Sequence, residues 1–327
     1  MSAIYREMLE KISRISRKHH VLKKIARNLR YFKASLNNLK SDEKFARQMY
    51  KRYTGDTLNL ENPQTYNEKL WWLKFHYRNP LQTICSDKYR VREYVKQCGL
   101  EEILVHLYGV YDDARDINFN DFKHEVFLKI NSGSGGNIIY DPQKKFDRKQ
   151  FIWDFNSRLK HNYYLDSREW NYKDIPVKIV CEEVLRDSQG QLPKDYKFMC
   201  FGGEPKLLFY SDGVCDDNGM HSVEGNRFTN VYDMDFRYVP ITASYPTRPD
   251  VMIPRPDTFE KMKEYAKILS APFPHCRVDF YTLEGKVFLG EITFYHSGGC
   301  GNISPAAQAI QMGQWIDLTS IEKEHLI

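Results

Sequence analysis

The densest chemistry in the chain lies at residues 276–305, CRVDFYTLEGKVFLGEITFYHSGGCGNISP. Arg277, Asp279 and Tyr281 alternate with Val278 and Phe280, the two-residue period of a strand, and Glu284-Gly285-Lys286 reads as its turn. A three-residue loop there predicts Asp279 opposite Glu291 and Arg277 opposite Thr293 on the returning strand. Cross-strand neighbours have Cβ atoms roughly 5 Å apart, and like charges so placed repel. Two facing carboxylates therefore need a cation between them or a shared proton. Oxygen ligands on adjacent strands suit Mg2+, which completes its shell with water and phosphate oxygens. Two other outcomes stay open: Arg277 neutralises one carboxylate itself, or a different register keeps the two apart. His296, directly after GEITF, faces the same side and is a candidate acid or base; His275 reads as an ordinary loop histidine.

A second concentration lies at residues 125–140. EVFLKIN alternates, with Val126, Leu128 and Ile130 on one face and Phe127, Lys129 and Asn131 on the other. It runs into Ser132-Gly133-Ser134-Gly135-Gly136-Asn137 and then Ile138-Ile139-Tyr140. A glycine-rich turn presents several backbone N–H groups to a phosphate, because glycine permits close approach and positive φ. The spacing is neither GxxxxGK[ST] nor GxGxxG before a helix. Strand, glycine loop and strand predict a hairpin flap; a simple loop is the competing reading. Downstream, residues 177–181 form a strand leading into Glu182-Glu183-Val184-Leu185. A further hairpin runs from Asp195 through a Gly202-Gly203-Glu204-Pro205 turn to Tyr210. Lys197 on that hairpin is either a sheet-edge residue or points into a ligand cleft.

The elements that position these groups come from a globular chain of 327 residues, 42% hydrophobic and 28% charged. No apolar run approaches the 18 or so residues of a membrane span, and the charged start MSAIYREMLEKISR is no signal peptide. The expectation is a cytoplasmic protein whose seven single cysteines are reduced thiols, without a zinc site. The net charge of +5 is uneven: residues 1–40 hold eleven Lys/Arg and two Glu, and residues 41–327 hold 37 basic and 41 acidic residues. In the basic arm, Met8, Ile12, Ile15, Leu22, Ile25, Leu29 and Phe32 recur at helical steps, with Arg14, Arg17, Lys18, Lys24 and Arg27 between them. Such a helix lies on an anionic membrane surface, pairs with another helix, or docks on its own body. No nucleic-acid module accompanies it. Residues 45–115 read as mainly helical: YNEKLWWLKFHY carries an aromatic core stripe, and Ser86 or Asp87 is placed to cap a helix over 88–95.

Taken in order, KINSGSGGN, Cys181-Glu182-Glu183-Val184-Leu185, DYKFMCFGG, RVDFY and GEITFYHSGG, with YNEKLWWLKF and SDKYRVREYV ahead of them, resemble the TupA-like ATP-grasp family of bacterial surface-polysaccharide loci. The resemblance covers about residues 45–310. It implies an α+β ATP-grasp fold, two α+β subdomains closing on ATP, with the helical basic arm as an N-terminal extension. The implied domains are 1–44 for the arm, 45–115, 116–185 with the flap, and 186–327 with the metal hairpin. It further implies that Lys129 and Lys197 approach ATP, that Ser132, Gly133, Ser134, Gly135, Gly136 and Asn137 are a phosphate flap, and that Glu182, Glu183, Val184 and Leu185 form the hinge at adenine. Asp279 and Glu291 would hold Mg2+. Arg277 would stabilise the reacting acyl centre, like the arginine of the similar RxD motif in D-alanine–D-alanine ligases. Those ligases carry E-x-N where this chain has Glu291-Ile292-Thr293, so Thr293 is a neutral oxygen ligand at best.

The chemistry so implied is carboxylate–amine ligation: a carboxylate attacks the γ-phosphate of ATP, and an amine then expels phosphate from the acyl phosphate. A uronic-acid carboxylate and an amino acid or amine fit the polysaccharide context, with the basic arm at the inner membrane face. Three rivals stand beside it. An ATP-grasp site also serves phosphoryl transfer to a sugar. Asp233-Met234-Asp235 matches the D-x-D of metal-dependent glycosyltransferases, but the motif is short and common and reads first as a solvated loop. A non-catalytic binding protein docked by the arm is the third.

Overall fold

A computed structural model of the protein describes residues 20–213, 227–243 and 245–327. Met8, Ile12, Ile15, Arg14, Arg17 and Lys18 of the arm, and Cys215, lie outside the described residues, as does the side chain of Leu22.

Two antiparallel sheets carry the molecule. Strands β1 (Leu107–Tyr111), β2 (Val126–Ile130), β3 (Ile138–Tyr140) and β4 (Ile179–Glu183) form the first, in the order β1-β4-β2-β3. Alternation in β2 turns Val126, Leu128 and Ile130 onto a core shared with Phe151 and Phe155 of the Arg148–Leu159 helix. Phe127 and Lys129 are left on the other face, as that period dictates.

The second sheet is built from β5 (Asp195–Phe201), β6 (Glu204–Asp212), β7 (Phe228–Tyr232), β8 (Tyr238–Val239), β10 (His275–Leu283) and β11 (Lys286–Thr293), in the order β11-β10-β5-β6-β7-β8. A small pair, β9 (Thr242–Ala243) with β12 (Ile303–Ser304), lies beside it. Helices Tyr66–His76, Val91–Gln97 and Phe259–Ser270 pack on this sheet, joining Tyr66, Leu70, Val95, Met262 and Leu269 to Phe198, Leu208, Val278 and Phe280 in one core. The Tyr66–His76 helix starts where a reciprocal cap permits: Thr65 accepts from the Glu68 N–H, and Glu68 reaches back to the Thr65 N–H.

Two boundaries differ from the sequence expectation. Residues 45–115 do not make a separate domain: β1 pairs with β4 of the first sheet, and the helices between 66 and 97 share the core of the second. An aromatic-rich helix of 11 residues, about three turns, has too little area to close a core alone, so it borrows the sheet. The helix expected over 88–95 begins only at Val91, after a turn. Pro80–Ser86 is one helix and Val91–Gln97 the next. Asp87 caps the turn between them, its Oδ1 accepting from Tyr89 and Arg90 N–H at 2.9 and 3.3 Å.

The basic arm is helical over His20–Asn37, and it docks by its polar side. Arg27 ion-pairs with Asp154 and lies over the Trp153 ring, Tyr31 stacks on His161 with ring centroids 4.0 Å apart, and Arg30 meets Asp166 at 3.0 Å. The apolar stripe points away: Ile25, Leu29, Phe32 and Leu36 are 50%, 62%, 63% and 45% exposed.

Candidate active site

Between the two sheets lies a cavity of about 1320 Å³. Lys129, Gly133, Ser134, Gly135, Gly136, Asn137, Glu182, Glu183, Val184, Leu185, Lys197, Arg277, Asp279, Glu291, Thr293 and His296 all line it. Ser132 does not; it is tucked behind the flap with its Oγ buried and unpartnered.

The floor is a rung of the second sheet. Glu291 pairs with Asp279 across β11 and β10, and Asp279 with Lys197 across β10 and β5. Directly opposite residues share a face, so three charged side chains of three adjacent strands emerge together. One pair along, Thr293 lies opposite Arg277. The expected register holds, but by another route. The turn is two residues long, Leu283 pairing with Lys286, with Glu284 and Gly285 at φ 50° and 74°. Both residues in the left-handed region make the tight turn whose twist suits a hairpin. That turn alone would set Gly290 opposite Asp279. A bulge at Gly290, between the Asp279–Glu291 and Phe280–Leu289 pairs, restores Glu291. Glycine suits the bulge because a Cβ there would come within 3.2 Å of the Asp279 carbonyl and the Tyr281 ring.

Arg277 is the cation that reconciles the two carboxylates. Its guanidinium donates to both Asp279 oxygens at 2.6 and 2.7 Å, to Glu291 Oε1 at 2.7 Å and to Thr293 Oγ1 at 3.1 Å. Lys197 Nζ adds 3.1 Å to Asp279 and 3.2 Å to Asp195. Burial pushes the Glu291 carboxyl up, but the charges of Lys88, Arg277 and Lys197 outweigh it and hold the group at about 2. Burial dominates at Asp279 and raises it, with Arg277 and Lys197 opposing. Lys197 loses by burial and regains more from Asp195 and Asp279, so its ammonium is held on.

His296 sits against the same guanidinium. Its Nδ1 lies 3.0 Å from Arg277 NH1, which only donates, so Nδ1 is the acceptor and Nε2 carries the hydrogen. Burial, then the Arg277 charge, push it well below the ordinary histidine range, so the ring stays neutral. With its lone pair engaged, His296 positions the guanidinium and has no free base nitrogen. His275 is not a loop residue; it is buried in β10, donating through Nδ1 to Cys200 O at 2.7 Å and accepting at Nε2 from Tyr66 OH at 2.9 Å.

The roof comes from the first sheet. Lys129 Nζ pairs with Glu182 Oε2 at 2.5 Å, and Arg92 stands 3.7 Å from the other oxygen. β2 and β3 pair as a hairpin through Val126–Tyr140 and Leu128–Ile138, with the glycine loop at its tip. Gly133 and Gly136 have φ of 75° and 83°, and a Cβ on them would strike the Tyr163 ring and the Arg158 guanidinium. The expected hinge straddles an element end: Glu182 and Glu183 belong to β4, while Val184 and Leu185 begin the connection to β5. Glu182, the first of the expected hinge residues, is also the ion-pair partner of Lys129.

The sequence model of the TupA-like ATPgrasp family matches residues 68–317, which is most of the chain. The chain belongs to the TupA-like ATP-grasp family. No curated protein matches it. Among solved structures it is similar to D-alanine–D-alanine ligase from Bacillus anthracis, at 16% identity and TM-score 0.40 over 68% of this chain and 63% of that one. It is similar also to D-alanine–D-alanine ligase from Helicobacter pylori, at 14% identity and TM-score 0.41 over 80% and 69%. An L-amino acid ligase from Bacillus licheniformis is a third, at 14% identity and TM-score 0.39 over 66% and 44%. This chain spans less than two thirds of the first and third of these proteins. The α+β architecture, two antiparallel sheets with a cleft between them, is the ATP-grasp fold.

Within this ATP-grasp protein, two anchoring residues escape a motif search. Lys88 lines the cavity, donates to Gly133 O at 2.6 Å and stands 4.0 Å from Glu291. Asn131, fully buried at the flap base, donates to Asp87 Oδ1 at 2.8 Å and Pro176 O at 3.0 Å, and accepts from the Lys178 N–H at 2.7 Å. The charge-rich 86–95 segment was the available signal for Lys88. Asp233, by contrast, uses its carboxylate on Asp235 and Arg237 N–H groups at 2.9 and 2.8 Å, closing the β7–β8 turn outside the cavity lining.

The donor set fits Mg2+. Two carboxylate oxygens, those of Asp279 and Glu291, are already near enough to share one Arg277 nitrogen, and Thr293 Oγ1 is 3.0 Å from Glu291. Two carboxylates are fewer than an all-protein cage needs and match a cation that keeps water and phosphate oxygens. The one surface group of three ligand-type side chains among the described residues, Glu322, Glu324 and His325, is far simpler: exposed acids beside a histidine.

Proposed function

We propose that this protein is an ATP-dependent carboxylate–amine ligase that releases ADP and phosphate through an acyl phosphate. The observation that carries the reading is the cavity itself, with a Lys197–Asp279–Arg277–Glu291 floor beneath a glycine flap and Lys129. ATP would lie between the sheets, its phosphates under residues 133–137 and toward Lys129 and Lys197, its base beside Val184 and Leu185. Asp279 and Glu291, with Thr293 as a neutral neighbour, would hold Mg2+, which when bound neutralises phosphate charge. Arg277, oriented by His296, is placed to stabilise the oxyanion that develops at the acyl carbon. Fixed cations in a water-poor cleft do this without reorganising at the moment of reaction.

The family's polysaccharide context suggests a uronic-acid carboxylate as one substrate and an amino acid or amine as the other. Among the described residues no helix is long and apolar enough to cross a membrane. The outward stripe Ile25, Leu29, Phe32 and Leu36 supports peripheral contact with an anionic bilayer instead. Residues 20–40 carry six Lys/Arg and no Asp/Glu, so two such helices repel each other while anionic lipid attracts both.

Calorimetry of Mg-ATP binding tests the reading, wild type against Lys129→Ala and Glu291→Ala. Binding weakened in both variants, and ADP release that requires a uronic acid and an amine together, are the expected results. Turnover on a sugar without an amine, with no free phosphate, would point to phosphoryl transfer. No ATP binding by folded wild type would overturn the proposal.

A further inference from the structure

The cavity wall holds one carboxylate that the floor and roof do not use. Glu169 is 6% exposed and lines the cavity. The other buried carboxylates around the cleft each have a cation: Asp279 has Arg277 and Lys197, and Glu182 has Lys129. Among the described residues Glu169 forms no ion pair. Its nearest support is the Ser167 side chain and the field of Lys74. Lys74 is itself engaged, donating to Ser167 O at 3.0 Å and Gly298 O at 2.7 Å over the Trp71 ring.

Aromatic side chains lie close to this carboxylate. Its charge acts on Tyr163, Tyr172 and Tyr295, all three line the cavity, and Tyr163 and Tyr172 meet edge to face with centroids 5.0 Å apart. Gly298, at φ 61°, lets the 296–299 turn approach, its would-be Cβ only 3.8 Å from Glu169 Oε1. Gly133 of the flap rests on the Tyr163 ring from above. The pocket is close to the floor: the charges of Glu291 and Arg277 both act on Glu169, the first raising it and the second lowering it after burial and Lys74 have had their larger effects.

A lone carboxylate among ring faces is a host for an organic cation. The carboxylate supplies charge and hydrogen bonds, and the rings accept the ammonium on their negative faces. Neither group suits a phosphate or a second carboxylate, which the floor and flap would attract. Resting on the ligase reading above, we propose that Glu169, with Tyr163 and Tyr172 around it, binds the amine co-substrate as its ammonium ion and takes the proton that frees its lone pair. The step balances. R–NH3+ gives one proton to Glu169, the amine nitrogen forms the C–N bond as the acyl C–O bond to phosphate breaks, and departing phosphate carries the second nitrogen proton. Glu169 then returns its proton to water. Burial, the leading influence on Glu169, raises its carboxyl above the usual range and brings it nearer to a proton acceptor's optimum.

The test uses the full chain with Mg-ATP and two probes, ethanolamine and its neutral isostere ethylene glycol, followed by ligand-observed NMR saturation transfer. Wild type should bind ethanolamine saturably and ethylene glycol at least tenfold more weakly. Glu169→Gln should lose that preference while binding ATP as wild type does. With any carboxylate that turns over, Glu169→Gln should lose amide formation with ethanolamine at neutral pH yet keep hydroxamate formation with hydroxylamine, which is already neutral there. A merely structural glutamate would lower both alike. Ethanolamine binding that is absent in wild type, or unchanged in Glu169→Gln, overturns this inference and leaves the ATP site standing. Loss of ATP binding in wild type would instead overturn the ligase reading on which it rests.

Discussion

Replacing Arg277 with methionine keeps most of the side-chain volume and removes the cation at the centre of the floor. Asp279 receives two of the guanidinium's bonds, at 2.6 and 2.7 Å, and both residues are nearly buried. Glu291 opens onto the cavity, so its bond to Arg277 is screened and counts for less. Breaking a buried pair by removing one partner costs about 3–5 kcal/mol, because the other charge stays unpaired. Lys197 remains 3.1 Å from Asp279 and limits that penalty. The expected loss is therefore about 3 kcal/mol, at the low end of that range. At roughly 2–4 °C per kcal/mol, the melting temperature should fall by roughly 6–12 °C. Two carboxylates freed of their cation should then bind Mg2+ more tightly. At 100 times its dissociation constant a ligand restores about 2.7 kcal/mol, most of the deficit. Thermal denaturation of wild type and Arg277→Met, with and without Mg2+, measures both effects. A variant that melts within about 2 °C of wild type, or a deficit that Mg2+ leaves untouched, would refute the reasoning.

Gly133→Ala places a Cβ on the Tyr163 ring at a φ of 75°, so nucleotide affinity should fall at least several-fold while the fold survives; unchanged affinity by calorimetry would free the flap of that role. His275 is held by burial at about 3, against 6.5 for an ordinary histidine. Between those values the unfolded chain binds the extra proton, so stability falls as pH falls, by about 2–3 kcal/mol from pH 6.5 to 4.5. The stability gap between wild type and His275→Gln should narrow over that interval in urea titrations, and a constant gap would contradict the neutral assignment. The double variant Leu29→Ser, Phe32→Ser should lose sedimentation with phosphatidylglycerol vesicles while ATP binding stays intact. Retained sedimentation, or a monomer replacing a dimer in ultracentrifugation, would count against the lipid reading.

Much of the site was legible in the chain because strand alternation is a short-range rule. The face shared by Phe127 and Lys129, and the Asp279–Glu291 pairing, need only a period of two and a turn. The turn length was misread, since the sequence does not distinguish Lys286 as a third loop residue from Lys286 as the first strand residue. The bulge at Gly290 happened to cancel the difference. What the chain hid was set by distant contacts. Glu169 acquires its meaning only when Tyr163, Tyr172 and the 296–299 turn close around it, and Asn131 only when Asp87, Pro176 and Lys178 converge on it. Neither has a local pattern. The domain boundary at 115 failed for a similar reason: β1 finds its partner 70 residues later, in β4.

The compensation at the hairpin makes its length a chemical quantity. Turn and bulge together count residues between Leu283 and Glu291, and side chains change faces with every single step. The two-residue turn by itself would set position 290 opposite Asp279, so deleting the bulged Gly290 would bring Glu291 into that place and keep all seven pairs. A residue lost between Lys286 and Leu289 would be absorbed in the same way, with Gly290 drawn into the ladder. A second loss would find no slack and would set Ile292 opposite Asp279, exchanging a carboxylate for an apolar side chain. The bulge is thus a reserve of one residue that protects the cleft's charge from a single change in hairpin length.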